Sequence, residues 1–247
     1  MSGWKERAEE VAQARAAAGP FLDYGDVPDM ATAYAMQDAL AAVEGVSGWK
    51  IAWNRPELQA KFQVESAAVA HIPARKIMRD GAVLPAEAHM ALMLEPEIAA
   101  VLSSDLTGEG HTADSVAGAV AELVPAWEVL DRRGVATMHG PTIAAQGIFN
   151  AGAVIGRATG ATIGRTTVRI GGELVLDAED AAPEPPLQAL AFVANTLGAR
   201  GIGLKAGQVV LCGSHTPLLP IAPGQVAELE IAGLGAARLS VAEGWET

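Results

Sequence analysis

The chain has 247 residues, half of them hydrophobic and 19% charged, with a formal net charge of −12 at pH 7. A chain of this length and apolar content can bury a sizeable core, which excludes intrinsic disorder, and an acidic balance without clustered Lys and Arg excludes nucleic acid as a partner. Its apolar stretches are too short for a membrane span, the start from Met1 to Arg7 lacks the apolar centre of a signal peptide, and Cys212 is the single cysteine, so a cytoplasmic protein without an internal disulfide is expected.

In chain order, Glu6 to Ala18 is rich in strong helix formers and stops at Gly19-Pro20, and Met30 to Val43 predicts a second helix. Residues 1–45 therefore read as a helical N-terminal region. From residue 46 the pattern changes to short apolar runs separated by Gly, Pro and Asp, as expected of strands: Leu92 to Leu102, Leu123 to Leu130, and Val209 to Cys212. Thr166 to Ile170 and Glu173 to Leu176, joined by Gly171-Gly172, predict a hairpin. Leu187 to Leu197, after the Pro-rich stretch from Ala182 to Pro186, reads as a further helix. With no internal repeat and no long linker, residues 1–247 read as one domain of α+β class, its β-rich core spanning 46–247. A doubly wound nucleotide fold is the alternative, but Gly201-Ile202-Gly203 lacks a third glycine and no Walker lysine motif is present, so no phosphate-tailed cofactor is expected.

Chemistry concentrates in the run Leu92 to Leu102, which carries Glu95 and Glu97 among apolar residues. On an extended backbone they project to one face, and two buried like charges require a counter-charge, a proton or a metal. Glu128 is embedded similarly in the run Leu123 to Leu130. Three carboxylates offer hard oxygen ligands suited to Mg²⁺ or Mn²⁺ with positions left open for water and substrate. An exposed sheet face for Glu95 and Glu97, or pairing of Glu128 with Arg132 or Arg133, accounts for the same pattern, and spacing alone leaves both readings open. Lys50, between Trp49 and Ile51, is placed where desolvation would lower its pKa, although a snorkelled or salt-bridged lysine fits the run equally. Cys212 reads as a buried, inert thiol.

The segments Glu95-Pro96-Glu97-Ile98-Ala99 and Pro125-Ala126-Trp127-Glu128-Val129 resemble the metal-ligand segments of the 2-keto-4-pentenoate hydratase and 4-oxalocrotonate decarboxylase family, a branch of the fumarylacetoacetate hydrolase superfamily. The likeness extends to Ala33-Tyr34-Ala35-Met36-Gln37, Gly48-Trp49-Lys50-Ile51, Asn195-Thr196-Leu197 and the stretch from Gly203 to Ser214, so it covers nearly the whole chain in order. It implies a rolled, barrel-like β core, a homo-oligomer, and a metal-dependent lyase acting on a small 2-oxo or 2-hydroxy-dienoic acid. Hydration to a 4-hydroxy-2-oxo acid is the first expectation; decarboxylation of an oxalocrotonate-like acid and C–C hydrolysis of an acylpyruvate are alternatives, and a non-catalytic binder that keeps the fold is a third.

By the same resemblance Glu95, Glu97 and Glu128 would hold the metal and Lys50 would be catalytic, while Ser214 and Thr216, with His215 between them, would meet the substrate. Two departures stand out. Where hydratases carry an Asp-Asn pair, this chain offers Gln146 and Gly147, which makes Gln146 a substrate-binding candidate; and Ala67-Ala68-Val69-Ala70 stands in place of a Pro-Asp-aromatic-Gly. A changed substrate or proton route is the expectation. A hydrolase would need a His-Glu base, for which only His71 and His215 are candidates, and for every histidine a solvent-exposed loop position is the plain alternative.

Overall fold

The structure is a computed structural model that describes residues 2–244. Two helices open the chain and pack on each other. The first, α1 (Ser2–Ala16), starts before the expected Glu6 and ends short of Ala18, which turns into the left-handed region so that the Gly19 amide bonds back to the Ala14 carbonyl at 2.7 Å. The second, α2 (Met30–Glu44), is capped by the Asp29 carboxylate, which accepts from the Thr32 amide at 2.8 Å. Its buried stripe of Ala33, Met36 and Leu40 joins Ala8 and Val11 of α1 in one apolar cluster. The polar residues of the Tyr34–Gln37 motif tie this helix down. Gln37 donates to the carbonyls of Val69 (3.1 Å) and Ala144 (2.8 Å), and the Tyr34 hydroxyl accepts from the Val69 amide.

The remaining chain supplies strands β1 (Val46–Ala52), β2 (Ala68–Pro73), β3 (Ile77–Arg79), β4 (Ala82–Leu84), β5 (Leu92–Leu102), β6 (Val120–Asp131) and β7 (Asn150–Ile155), with the short helices α3 (Pro56–Phe62), α4 (Ala113–Ala117) and α5 (Gly140–Ala144) between them. After these come β8 (Arg157–Ala158), the hairpin β9 (Thr166–Ile170) and β10 (Glu173–Ala178), helix α6 (Pro186–Gly198), and β11 (Val209–Leu211), β12 (Leu219–Pro220), β13 (Val226–Ile231) and β14 (Gly235–Val241). Most pairs are antiparallel, so the α+β expectation holds.

Among the described residues the strands form two sheets. One runs β2-β1-β11-β5-β6-β7-β3, with β12 also on β5; the other runs β10-β9-β13-β14-β4, with β8 on β14. The first sheet rolls until β2, at one end, lies against β7 near the other. Leu94, Ile98, Trp127 and Val129 of that sheet pack on Leu229 and Leu239 of the second, and the Trp127 indole N–H donates to the Ala237 carbonyl at 3.1 Å. Helix α6 buries Ala189, Leu190, Val193 and Leu197 against Trp49, Ile51, Val69 and Val210.

Strand alternation then decides what enters the roll. Trp49 and Ile51 face α6, so Lys50 faces inward; Ala99, Val124, Ala126 and Ala153 share the inner surface with Ile72 and Leu211. Small residues prevail there because the backbones close up. A Cβ on Gly48 would stand 2.4 Å from the Val209 carbonyl oxygen. No helix among the described residues is long and apolar enough to cross a membrane.

Candidate metal centre

Glu95 and Glu128 face each other directly across the β5–β6 ladder, and Glu97, opposite Ala126, follows two residues on along the same face. All three carboxylates therefore point into the roll, where Glu97 is 1% and Glu128 0% exposed, and each offers an oxygen within 4.8 Å of the others. Glu128 pairs with neither Arg132 nor Arg133. Its partner is Lys50, fully buried on β1, whose Nζ lies 2.9 Å from Oε1 and 3.2 Å from Oε2. Three negative charges against one ammonium leave two in excess, the charge of one divalent cation.

Burial and the neighbouring Glu128 push Glu95 up to about 8, and burial, Glu128 and Glu95 together hold the Glu97 proton well above the ordinary carboxylate range. A site that raises its own acids in this way favours whatever positive charge replaces the proton. The lysine behaves contrary to the sequence expectation. Burial alone would lower its pKa, but attraction to Glu128, Glu95 and Glu97 outweighs burial and raises it, so Lys50 is held as an ammonium.

The fourth wall comes from a break in the sheet. β11 ends where Leu211 pairs with Ala99, and β12 begins where Leu219 pairs with Leu94, so residues 95–98 of β5 have no strand on that side. Pro96, which cannot donate to a ladder, fits this gap. The segment 212–218 fills it instead: the Cys212 amide bonds to the Ile98 carbonyl, the His215 amide to the Pro96 carbonyl, and the Gly213 amide donates to Glu97 Oε2 at 2.6 Å. Gly213 has φ 109, and a Cβ there would meet the Asn54 amide at 2.5 Å.

Ser214, His215 and Thr216 thereby line, together with Lys50, Glu95 and Glu97, a cavity of about 530 Å³. His215 is not a loop residue in solvent. It is 6% exposed, its Nδ1 lies 3.0 Å from the Thr166 hydroxyl, its Nε2 has no partner, and burial lowers its pKa to about 4. Trp53, Phe62, Met93 and Leu130 give the cavity apolar walls, and Arg55, Lys61 and Arg132 also border it. Cys212 is buried with its pKa raised by burial, as expected of an inert thiol.

The structure does not bring Gln146 to this cavity. Both ends of its amide are engaged elsewhere, Oε1 by Arg133 at 3.1 Å and Nε2 by the Leu22 carbonyl. The amide that does reach the carboxylates is that of Asn150, whose Nδ2 donates to Glu128 Oε1 at 2.9 Å. Between Gln146 and Asn150 lies a turn in which Gly147 (φ 77), Ile148 (φ 50) and Phe149 (φ 64) are all left-handed. Two consecutive left-handed side-chain residues are strained, by roughly 1–2 kcal/mol each. His71 is likewise buried, on β2. It pairs with Glu44 at 2.8 Å, and neither residue lines the carboxylate cavity.

A family model, that of the fumarylacetoacetate (FAA) hydrolase C-terminal domain, matches residues 34–242, which include every residue just described around the carboxylates. The chain belongs to the fumarylacetoacetate hydrolase family. Within it, the chain is 30% identical over 223 residues to 2-hydroxyhexa-2,4-dienoate hydratase of Comamonas testosteroni, covering 82% of this chain and 81% of the relative. It is 30% identical over 237 residues to 2-keto-4-pentenoate hydratase of Burkholderia vietnamiensis, covering 91% and 90%. The fold is that of 4-oxalocrotonate decarboxylase from Pseudomonas putida G7, solved with magnesium and adipate, at a TM-score of 0.87, 22% identity and 97% of each chain. The branch to which the motifs pointed is thus the branch in which this member of the family finds its relatives.

Proposed function

We propose that the protein is a divalent-metal-dependent hydratase that adds water to a 2-hydroxy-dienoic or 2-oxo-enoic acid and yields a 4-hydroxy-2-oxo acid. The observation that carries this reading is the clustered set Glu95, Glu97 and Glu128, which when ionised holds two charges in excess of Lys50 and opens onto a cavity of small-molecule size. In this reading the three glutamates are metal ligands and Lys50 is the catalytic acid–base residue. A bound Mg²⁺ or Mn²⁺ supplies stabilisation for negative charge developing on the 2-oxo end of the substrate.

The side chains supply the rest. Lys50, kept protonated by Glu128, delivers a proton from Nζ and takes one back as the substrate rearranges. Asn150 and the Gly213 amide fix the orientations of Glu128 and Glu97. Trp53, Phe62 and Leu130 exclude bulk water. Ser214, Thr216 and the free Nε2 of a neutral His215 are the polar groups that can orient the substrate or the attacking water. Arg55 and Arg132 favour a substrate with an anionic tail, and with it a second reading, decarboxylation of a dicarboxylic 2-oxo acid at the same site.

Cytoplasmic residence and a homo-oligomer accompany this reading. Self-association, which the family resemblance implies, is measured by light scattering. The deciding experiment incubates the Mg²⁺-loaded enzyme with 2-hydroxydienoates, oxalocrotonate-like acids and acylpyruvates and follows product mass. Gain of water supports hydration, loss of CO₂ transfers the proposal to decarboxylation, and unaltered substrates throughout overturn the enzymatic reading.

A further inference from the structure

A second cavity, of about 340 Å³, shares Phe149 with the first but none of the three carboxylates. Charged residues on its wall are Arg15, Arg133, Lys76, Glu44 and Asp131. Both acids are already engaged. Glu44 takes Arg15 at 3.1 Å and His71 at 2.8 Å; Asp131 accepts the amides of Met90, Ala91 and Arg133 at 2.9–3.0 Å.

Arg133 is left without an acid. It is 5% exposed and forms no ion pair among the described residues; one guanidinium nitrogen donates to the neutral Gln146 amide at 3.1 Å, the other terminal nitrogen has no partner, and the group rests 5.5 Å from the centre of the Phe21 ring. Burial and the nearby Arg15 lower its pKa to about 10, so it still carries its charge at neutral pH. Asp131 and Glu44 attract it from a distance, but a buried cation with no directly paired acid and an incomplete set of acceptors is costly unless something anionic completes it.

We infer that this cavity is a second binding site, distinct from the carboxylate cavity, that takes a small organic carboxylate on Arg133 and Arg15. The unpartnered Arg133 nitrogen suits a carboxylate oxygen, with Arg15, already held by Glu44, adding positive charge beside it, and Ala12, Ala16 and Phe149 on the same wall suit a short hydrocarbon chain better than a bare inorganic anion. Arg15 also donates to the Asn150 carbonyl, while the Asn150 side chain holds Glu128. The ligand would therefore sit one residue away from the candidate metal ligands, behind the strained turn Gly147–Phe149.

The test titrates succinate by calorimetry into Mg²⁺-loaded protein whose first cavity is saturated with oxalate, and repeats the titration without metal so that the result stands apart from the metal reading. Expected are a saturable succinate site in both conditions, at least tenfold weaker binding in Arg133→Gln, and a higher melting temperature of that variant when ligand-free, because a lone buried charge has been removed. Should Arg133→Gln fail to fold, Ala16→Leu fills the cavity from an exposed position of α1 and should also abolish the site. Absence of saturable binding to wild type, or equal binding to wild type and the variants, overturns the inference. Inorganic phosphate binding more tightly than succinate overturns the choice of a carboxylate. No succinate binding together with dissociation of an oligomer in Arg133→Gln would assign the missing acid to a second copy of the chain and would equally overturn it.

Discussion

Replacing Glu97 by Gln separates two things its carboxylate does: it offers an oxygen to a cation, and it carries charge in a buried place. Without metal, the folded protein holds Glu97 well above the ordinary value and Glu95 at about 8, against 4.5 for a free side chain. Folded-state values above the unfolded ones mean that the folded chain binds extra protons between these limits. The contribution of these two acids to metal-free stability is therefore full below about pH 4.5 and is lost as pH rises through about 8. At about 1.4 kcal/mol per pH unit, Glu95 alone accounts for a few kcal/mol across that window, which corresponds to roughly 10 °C in melting temperature for a chain of this size. Metal-free wild type should melt several degrees lower at pH 8.5 than at pH 5.5, and Mg²⁺ should restore the loss. Glu97→Gln exchanges a largely neutral acid for a neutral amide, so the fold should survive and the pH dependence carried by Glu95, whose shift comes from burial and Glu128, should remain. Its Mg²⁺ affinity should fall by more than about 100-fold, since even a hydrogen-bond partner of a ligand is worth about 10- to 100-fold. Thermal melts at the two pH values, with EDTA or Mg²⁺, and a calorimetric Mg²⁺ titration measure both effects. An unchanged Mg²⁺ isotherm refutes Glu97 as a ligand, and a metal-free melting temperature indifferent to pH refutes the charge clustering itself.

Lys50→Met keeps the apolar stem and deletes the ammonium; turnover should drop by about 10²- to 10⁴-fold, and unchanged turnover would return this lysine to a structural role. Asn150→Ala removes the hydrogen bond to Glu128 and should weaken Mg²⁺ by about 10- to 100-fold in a calorimetric titration while leaving the secondary structure intact. Gly48→Ala forces a methyl group onto the Val209 carbonyl and should lower stability by about 1–3 kcal/mol, seen as a melting temperature reduced by about 5 °C. The short 2-hydroxypenta-2,4-dienoate should be a poor substrate and a longer acid with an anionic tail a better one, the advantage disappearing in Arg132→Met; kcat/KM at or above about 10⁵ M⁻¹s⁻¹ on the short acid would show that the missing acids are dispensable.

What the sequence made legible was local. Leu92 to Leu102 is a strand over the residues read, the hairpin turns at Gly171-Gly172, and α2 and α6 lie within a residue of their expected bounds, because each is a continuous pattern with punctuation at its ends. The shared face of Glu95 and Glu97 follows from the same alternation. Other features needed the third dimension. The sign of the Lys50 shift could not be read from Trp49 and Ile51, which report only desolvation, since the charges that reverse it lie on β5 and β6. His215 is buried because β11 and β12 leave a gap that its segment fills, and no local signal encodes a gap. Gln146 reads as a substrate contact from its place in the motif alone, and only the fold shows its amide spent on Arg133 and the Leu22 carbonyl.

The gap opposite residues 95–98 of β5 also separates what must stay fixed from what is free to vary. The glutamates stand on two long strands in mutual register, where inserting a single residue would turn the carboxylates to the wrong face. The facing wall, 212–218, belongs to no ladder and is anchored chiefly through backbone amides, Gly213 being the position whose positive φ and close approach to Asn54 require glycine. Ser214, His215 and Thr216 can consequently be exchanged, or the segment lengthened, without disturbing the register of the strands beneath. A scaffold divided in this way allows one charge centre to serve differently shaped acids, and transplanting this short segment between relatives is the economical route to altered selectivity.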